Sequence, residues 1–146
     1  MMATGPWRTC LVVIARNEAR HIDRLLRSVM PWVDDALILD TGSSDNTPAL
    51  ARAQGARVAH FDWCDDFAAA RNCALAEASA DWHIVLDGDE WLAEGGPAQA
   101  SLRGLKPDHI GVVHLVDHGA AAGPVNSWLS RVFPANVRYR CSNCGD

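Results

Sequence analysis

Asp87, Asp89 and Glu90 lie together in the stretch "HIVLDGDEW" (His83 to Trp91), with only Gly88 between the first two. Acidic residues and glycine are the common punctuation of a solvated turn after a strand, so the cluster has a purely structural reading. It also has a chemical one. Two residues apart on a chain leaving a strand, Asp87 and Asp89 would point to the same side about 7 Å apart, close enough to share a ligand. Gly88 lets the backbone bend toward it. Paired carboxylates with open positions suit Mg²⁺ or Mn²⁺, hard ions that take oxygen ligands and bridge protein carboxylate to substrate phosphate. Such an ion acts as a Lewis acid on a diphosphate leaving group.

The elements that must position these residues follow from the pattern of the chain. "TCLVVIA" (Thr9 to Ala15) is a continuous apolar, β-branched run, as expected of a strand buried on both faces of a parallel sheet. Ile22, Leu25, Leu26, Val29 and Met30 then fall at helical spacing, and Pro31 stops the helix. "DALILDTG" (Asp35 to Gly42) reads as a second strand. It is followed by a loop and a helix with Pro48 near its first turn and Gly55 as its stop. "RVAHFDW" (Arg57 to Trp63) is a third strand, "DDFAAARNCALAEAS" (Asp65 to Ser79) a helix, and "DWHIVLD" (Asp81 to Asp87) a fourth strand. This alternation predicts an α/β fold with a mainly parallel, right-handed sheet flanked by helices.

After Trp91, Gly95, Gly96 and Pro97 precede a short helix-like "AQASLRGL". "HIGVVHLVDH" (His109 to His118) and "NSWLSRVF" (Asn126 to Phe133) read as strands with no helix between them, which makes the second half a smaller antiparallel part. "HGAAAGP" (His118 to Pro124) reads as a mobile loop. In open parallel sheets ligands bind beyond the carboxyl ends of the strands. Here those ends carry Ala15, Arg16, Asn17 and Glu18; Asp40, Thr41 and Gly42; and Asp87, Gly88 and Asp89.

Composition bounds what the site can serve. A chain of 146 residues with 49% hydrophobic content has room for one domain, taken as residues 1–146, and one core. Its formal net charge of -5, with 18 acidic against 13 basic residues and no basic run, argues against a nucleic-acid footprint. "CLVVIA" is too short to span a bilayer and lacks the flanks of a signal peptide, so a soluble, cytoplasmic protein is expected. Cys10, Cys64, Cys73, Cys141 and Cys144 are an odd number without disulfide spacing, and the "CSNC" pair is at most half a zinc site.

"VVIARNEARHIDRLLRSVMPWVDDALILDTGSSDNT" and "FDWCDDFAAARNCALAEASADWHIVLDGDEWL", in that order and spacing, resemble the donor-binding half of a family-two glycosyltransferase with the Rossmann-like GT-A fold. The resemblance covers Thr9 to Arg140 and implies a nucleotide-sugar-binding part over residues 9–92 and a partial acceptor-side part over 93–140. It implies that Ala15, Arg16, Asn17 and Glu18 line the nucleoside pocket. Asp40 would accept a hydrogen bond from the base, in keeping with uracil N3–H, and Asp45 would sit in the loop beside it. Arg71 would lie near base and diphosphate. Asp87 would bind ribose or support the metal, and Asp89 would coordinate Mn²⁺ or Mg²⁺ directly.

The residues keep their structural alternatives. Asp40, Thr41, Ser43 and Asp45 also fit turn and N-cap positions, Arg16 and Glu18 a solvated helix start, and Arg71 and Asn72 the polar face of a helix. The six tryptophans, Trp7, Trp32, Trp63, Trp82, Trp91 and Trp128, read as packing, with Trp91 beside the carboxylates the exception. Family members continue past a segment like "SRVFPANVRYR" with a histidine–glutamate pair, which "CSNCGD" does not supply. That leaves Asp117 and Glu90 as fallback bases for an acceptor hydroxyl. The expectation is therefore a metal-dependent inverting transferase moving sugar from a UDP-sugar to a glycan, lipid or protein acceptor. The alternative is a truncated, catalytically incomplete nucleotide-sugar-binding fragment. A phosphate-transferring α/β hydrolase would place its acidic pair after the first strand, and here the pair follows the fourth.

Overall fold

Thr9–Ala15, β1, can hide its aliphatic side chains only where both faces are covered, and in the computed structural model it is an interior strand of a six-stranded sheet. The structure describes residues 4–119 and 121–140, so the "CSNC" pair at Cys141 and Cys144 lies outside the described residues. The other strands are β2 (Asp35–Asp40), β3 (Arg57–His60), β4 (Trp82–Asp87), β5 (Gly111–Asp117) and β6 (Val125–Pro134), in the spatial order β3-β2-β1-β4-β6-β5. β1, β2, β3 and β4 pair in parallel, whereas β6 runs antiparallel to both β4 and β5. The expected α/β architecture with a smaller antiparallel part is the one observed.

Helices cover both faces. α1 (Ile22–Val29) buries Ile22, Leu25, Leu26 and Val29 against Leu11, Val13 and Ala15 of β1, together with Ala51 of α2 (Thr47–Ala53). α3 (Phe67–Ala78) lays Ala70, Ala74, Leu75 and Ala78 on the opposite face, against Cys10 and Val12. Small side chains on α3 let it lie close to the sheet. The change of face follows from chain direction: β1, β2 and β3 step one way, then the chain crosses back to place β4 on the other side of β1. Crossovers of one hand must then put α3 on the opposite face from α1 and α2.

α4 (Gly96–Ser101) and the 3₁₀ turn Leu102–Gly104 close the lower part. Gly96 sits where a Cβ would lie 2.1 Å from the Trp32 ring, so only glycine allows this helix to seat.

Boundaries differ from the expectation where polar groups intervene. The third strand ends at His60 and not Trp63, because beyond Phe61 the chain turns off the edge of the sheet into the start of α3. α3 begins at Phe67 rather than Asp65: Asp66 is its N-cap, its carboxylate accepting from Ala69 N at 3.0 Å, and Asp65 has φ 59°. β6 pairs with β4 only over Val132–Pro134 and then projects as a two-stranded ribbon with β5. No helix among the described residues is long and apolar enough to cross a membrane.

Candidate functional site

The strand order reverses between β1 and β4, which opens a crevice above their carboxyl ends. Register brings the acidic ends level there: Ala15 pairs with Asp40 and Ile14 with Asp87. With β1 between them, the backbones of Asp40 and Asp87 are about 10 Å apart, two strand spacings. A cleft of about 340 Å³ lies at this end, lined by Ile14, Arg16, Glu18, Thr41, Trp63 and Phe67.

The "ARNE" loop is stitched to the "DTGSSDNT" loop. Asn17 adopts a left-handed φ of 55°, and its Oδ1 accepts from Ser44 N at 2.8 Å and Ser44 Oγ at 3.2 Å. Its own N–H donates to Ser43 Oγ at 2.9 Å. Glu18 N donates to Thr47 Oγ1 at 2.9 Å. Asp45 completes the seam by accepting from Ala19 N at 3.2 Å and Thr47 N at 3.0 Å. The Thr47 hydroxyl bond, followed by these backbone donors, holds its carboxyl below the usual carboxylate range. Both Asp45 oxygens are used inside the loop, one residue ahead of Asn46, the N-cap of α2.

Asp40 is buried at 4% exposure. One oxygen, Oδ2, accepts from Gly42 N at 3.2 Å and Ser43 N at 3.1 Å, with His60 Nδ1 3.6 Å away. The other, Oδ1, is buried and has no hydrogen-bond partner among the described residues. An unmet buried carboxylate oxygen costs free energy unless a donor reaches it.

Asp87 is held by two arginines. Arg71 Nη2 donates to its Oδ1 at 2.8 Å, and Arg131 Nη2 lies 3.5 Å from its Oδ2. Arg131 also donates to Glu90 Oε1 at 2.9 Å. Glu90 and Asp87 are tied again through backbone: Asp87 N donates to Glu90 Oε1 and Glu90 N to the Asp87 carbonyl, each at 3.0 Å.

Burial works against the charge on both carboxyls. On Asp87 it is outweighed by the hydrogen bond with Glu90 and the charges of Arg131 and Arg71, which hold the group below its ordinary range. On Glu90, burial and the hydrogen bond with Asp87 push the carboxyl up to about 7, against the pull of Arg131. The surroundings thus favour the proton on Glu90 over Asp87.

Asp89 is the contrast. It is exposed and makes no hydrogen bond or ion pair with the described residues. Asp87 is thus held by protein groups, whereas Asp89 is not. No group of three His, Cys, Asp or Glu among the described residues could hold a metal alone. The donor set fits a hard ion that takes Asp89 and fills its remaining positions with ligand oxygens and water, as Mg²⁺ commonly does. Gly88 matters for a reason other than bending. Its φ is not left-handed, and a Cβ there would lie 2.7 Å from Glu18 Cγ, so glycine lets the Glu18 side chain cross the loop.

Sequence reasoning missed three residues here. Arg131 falls at a β-bulge: Gly111 pairs with Val132 and Val112 with Ser130, leaving Arg131 without a cross-strand partner on β5 and aimed at Asp87 and Glu90. Nothing short of that register shift distinguishes it from other strand arginines. Trp63 and Phe67 form an edge-to-face pair, with centroids 4.7 Å apart, on the wall of the cleft. Their place in the "FDWCDDF" block was the available signal. Asn72, by contrast, is a clamp for the chain end, donating to the Tyr139 carbonyl at 2.9 Å and accepting from Tyr139 N at 2.7 Å.

The family pattern described as "Glycosyl transferase family 2" matches residues 10–122. A TPR repeat-containing protein of Synechococcus elongatus is 42% identical over 123 residues, covering 84% of this chain and 30% of that protein. A succinoglycan biosynthesis protein of Rhizobium meliloti is 31% identical over 102 residues, 65% of this chain and 30% of its own length. Glucosyl-3-phosphoglycerate synthase of Mycobacterium tuberculosis, solved with Mn²⁺, UDP and glucosyl-3-phosphoglycerate, superposes with a TM-score of 0.51 at 29% identity, over 56% of this chain and 33% of that one. The chain spans about a third of the length of these proteins. With its sheet order, its two-faced helical cover and a family match over most of its length, the chain belongs to glycosyl transferase family 2 and has the GT-A fold.

Proposed function

We propose that this domain binds a nucleotide-diphospho-sugar, a UDP-sugar, together with Mn²⁺ or Mg²⁺, as the donor half of a metal-dependent inverting glycosyltransferase. The observation that carries the reading is Asp40: a buried carboxylate oxygen with no donor, level with the Asp87 cluster across β1. The N3–H of uracil is the donor it lacks. The comparison proteins support the ligand class, since the mycobacterial synthase has been solved with UDP and Mn²⁺ and with UDP and Mg²⁺.

In this reading residues 9–92 hold the donor and 93–140 begin the acceptor side. Ala15, Arg16, Asn17 and Glu18 form the floor of the nucleoside pocket, which Asp45 keeps folded, and Trp63 and Phe67 wall the base. Arg71 serves through Asp87, fixing that carboxylate for the ribose. Asp89 holds the ion, which when bound neutralises charge on the diphosphate as a Lewis acid. The acceptor hydroxyl oxygen attacks the anomeric carbon, the bond to the β-phosphate oxygen breaks, and the proton passes to a base.

A second reading, donor binding with slow transfer, draws on the state of the two candidate bases. Glu90 Oε1 is committed to Arg131 and to Asp87 N, and Asp117 Oδ1 to Gly119 N at 2.8 Å.

The test is calorimetric binding of UDP and of inorganic diphosphate, each with Mn²⁺, to the wild type and Asp40→Ala. Loss of the base contact should weaken UDP about tenfold or more while leaving diphosphate unchanged, the cost of an unpaired buried partner being roughly 1 to 3 kcal/mol. Equal weakening of both ligands would make Asp40 a fold residue and remove the reading's main support.

A further inference from the structure

A groove of about 530 Å³ runs along α1, lined by Arg20, Asp23, Arg24, Arg27 and Ser28. Arg24 and Arg27 lie three apart on α1, and Arg20 lies in the turn that leads into it. In a chain whose formal net charge is -5, this groove holds three guanidiniums against one carboxylate, a local surplus of two positive charges.

The single carboxylate is already committed: Asp23 accepts from Gln54 Nε2 at 2.9 Å and pairs with Arg27 at 3.3 Å. Neither Arg20 nor Arg24 meets a carboxylate among the described residues, although the chain has 18 acidic residues.

Arg24 is nevertheless held in place. Its guanidinium carbon lies 3.8 Å from the centroid of the Trp91 ring, a cation–π contact that restrains the side chain. Trp91 is two residues beyond Asp89, and Leu92 N donates to Ser28 Oγ at 2.9 Å, tying that loop to α1. The groove is therefore braced against the segment that carries the candidate metal ligand. A stripe of arginines that merely solvates a helix needs no such bracing. Its extent, one groove on one helix, suits a compact anion and not a nucleic-acid backbone, which is followed by a longer basic surface.

We propose that this groove binds a phosphomonoester, with Arg20 and Arg24 as its ligands and Trp91 as the platform that orients Arg24. The charge matches: a phosphomonoester carries about -1.5 to -2 at pH 7 and offers several acceptor oxygens, against a surplus of two positive charges, whereas a carboxylate carries one negative charge. The site lies outside the cleft assigned to the donor and shares no lining residue with it. Its use for anchoring a phosphorylated acceptor rests on the donor reading above; its binding of phosphomonoester does not.

The experiment titrates glycerol 3-phosphate into the protein in EDTA, without nucleotide, following binding by calorimetry and the Arg Nε–H resonances. In parallel, vesicles of phosphatidylcholine with and without phosphatidic acid are tested by sedimentation, which separates a free phosphomonoester from the same group on a lipid. Arg20→Gln/Arg24→Gln is expected to weaken whichever probe binds by about tenfold or more for each guanidinium lost, with UDP–Mn²⁺ affinity unchanged. Arg24→Lys should fall between, since it keeps charge and loses the fork. Saturable binding that is insensitive to the double substitution, or no saturable binding of either probe, overturns the site. Phosphomonoester binding that survives in a protein failing to bind UDP–Mn²⁺ would leave the site standing and remove only its acceptor role.

Discussion

Glu90 and His83 should set opposing pH dependences of stability, and the wild-type chain should hide both. Burial and the hydrogen bond with Asp87 push Glu90 up to about 7 from the usual 4.5, so the folded state keeps a proton that the unfolded state has released. Between those values stability falls as pH rises. His83, in β4, is buried at 1% exposure, and desolvation, reinforced by the nearby charge of Arg138, lowers it from 6.5 to about 4. Its Nε2 accepts from Ala80 N at 3.2 Å, and its Nδ1 is buried without a partner among the described residues. Here the unfolded state holds the extra proton, so stability rises with pH between about 4 and 6.5.

Each shift corresponds to about 3 kcal/mol in full, and to about 2 kcal/mol over the shared interval of roughly pH 4.5 to 6.5. The two slopes have opposite sign and nearly cancel. The other shifted aspartates, Asp34, Asp35, Asp45 and Asp87, are all lowered from 3.8 and act below this interval. Urea unfolding in EDTA at several pH values should therefore give a nearly flat profile for the wild type. Glu90→Gln, which keeps an acceptor for Asp87 N and Arg131, should expose a rise of about 2 kcal/mol with pH. His83→Gln should expose a fall of the same size. If neither variant tilts the profile, or both tilt it the same way, the account of these two buried groups is wrong.

Arg131→Met should cost about 1 to 3 kcal/mol at neutral pH, because Glu90 loses its guanidinium donor and Asp87 keeps only Arg71; a double-mutant cycle with Glu90→Gln in urea that gives no coupling would show the cluster to be loose. Gly88→Ala should destabilise by about 1 to 3 kcal/mol through the clash with Glu18, whose Oε2 is fixed by His21 Nδ1 at 2.9 Å. Glu18→Ala should rescue it, and a Gly88→Ala cost that persists unchanged in that background would point to backbone and not to contact.

The parallel half of the fold was legible because its determinants are local. Continuous β-branched runs such as "TCLVVIA", helical spacing such as Ile22-Leu25-Leu26-Val29, and the punctuation of Pro31 and Gly42 suffice to place β1, α1 and β2. The same alternation located the crevice, since the positions following β1, β2 and β4 must share one end of the sheet. Not legible were contacts set by register. Arg131 reaches Asp87 only because a bulge removes one residue from the β5–β6 pairing, and a bulge has no signature in composition. Asp45 and Asp40 look alike in sequence, both acidic residues of a turn-rich block. Burial separates them: Asp45 is exposed with its oxygens spent on Ala19 and Thr47, while Asp40 is enclosed with one oxygen unmet.

The same distinction runs through the D-x-D segment and accounts for its spacing. In the proposed reading Asp87 orients the donor and must itself be held, and two guanidiniums and a bulge fix it, its carboxyl kept below the ordinary range while that of Glu90 is pushed up. In the same reading Asp89 meets a metal that arrives with its ligand, and it stands exposed with no partner among the described residues. Gly88 separates the two proposed roles: with no side chain it admits Glu18 from the "ARNE" loop at the first strand's end. Any residue larger than glycine would force Glu18 aside and loosen the loop on which Asp89 and Trp91 both depend.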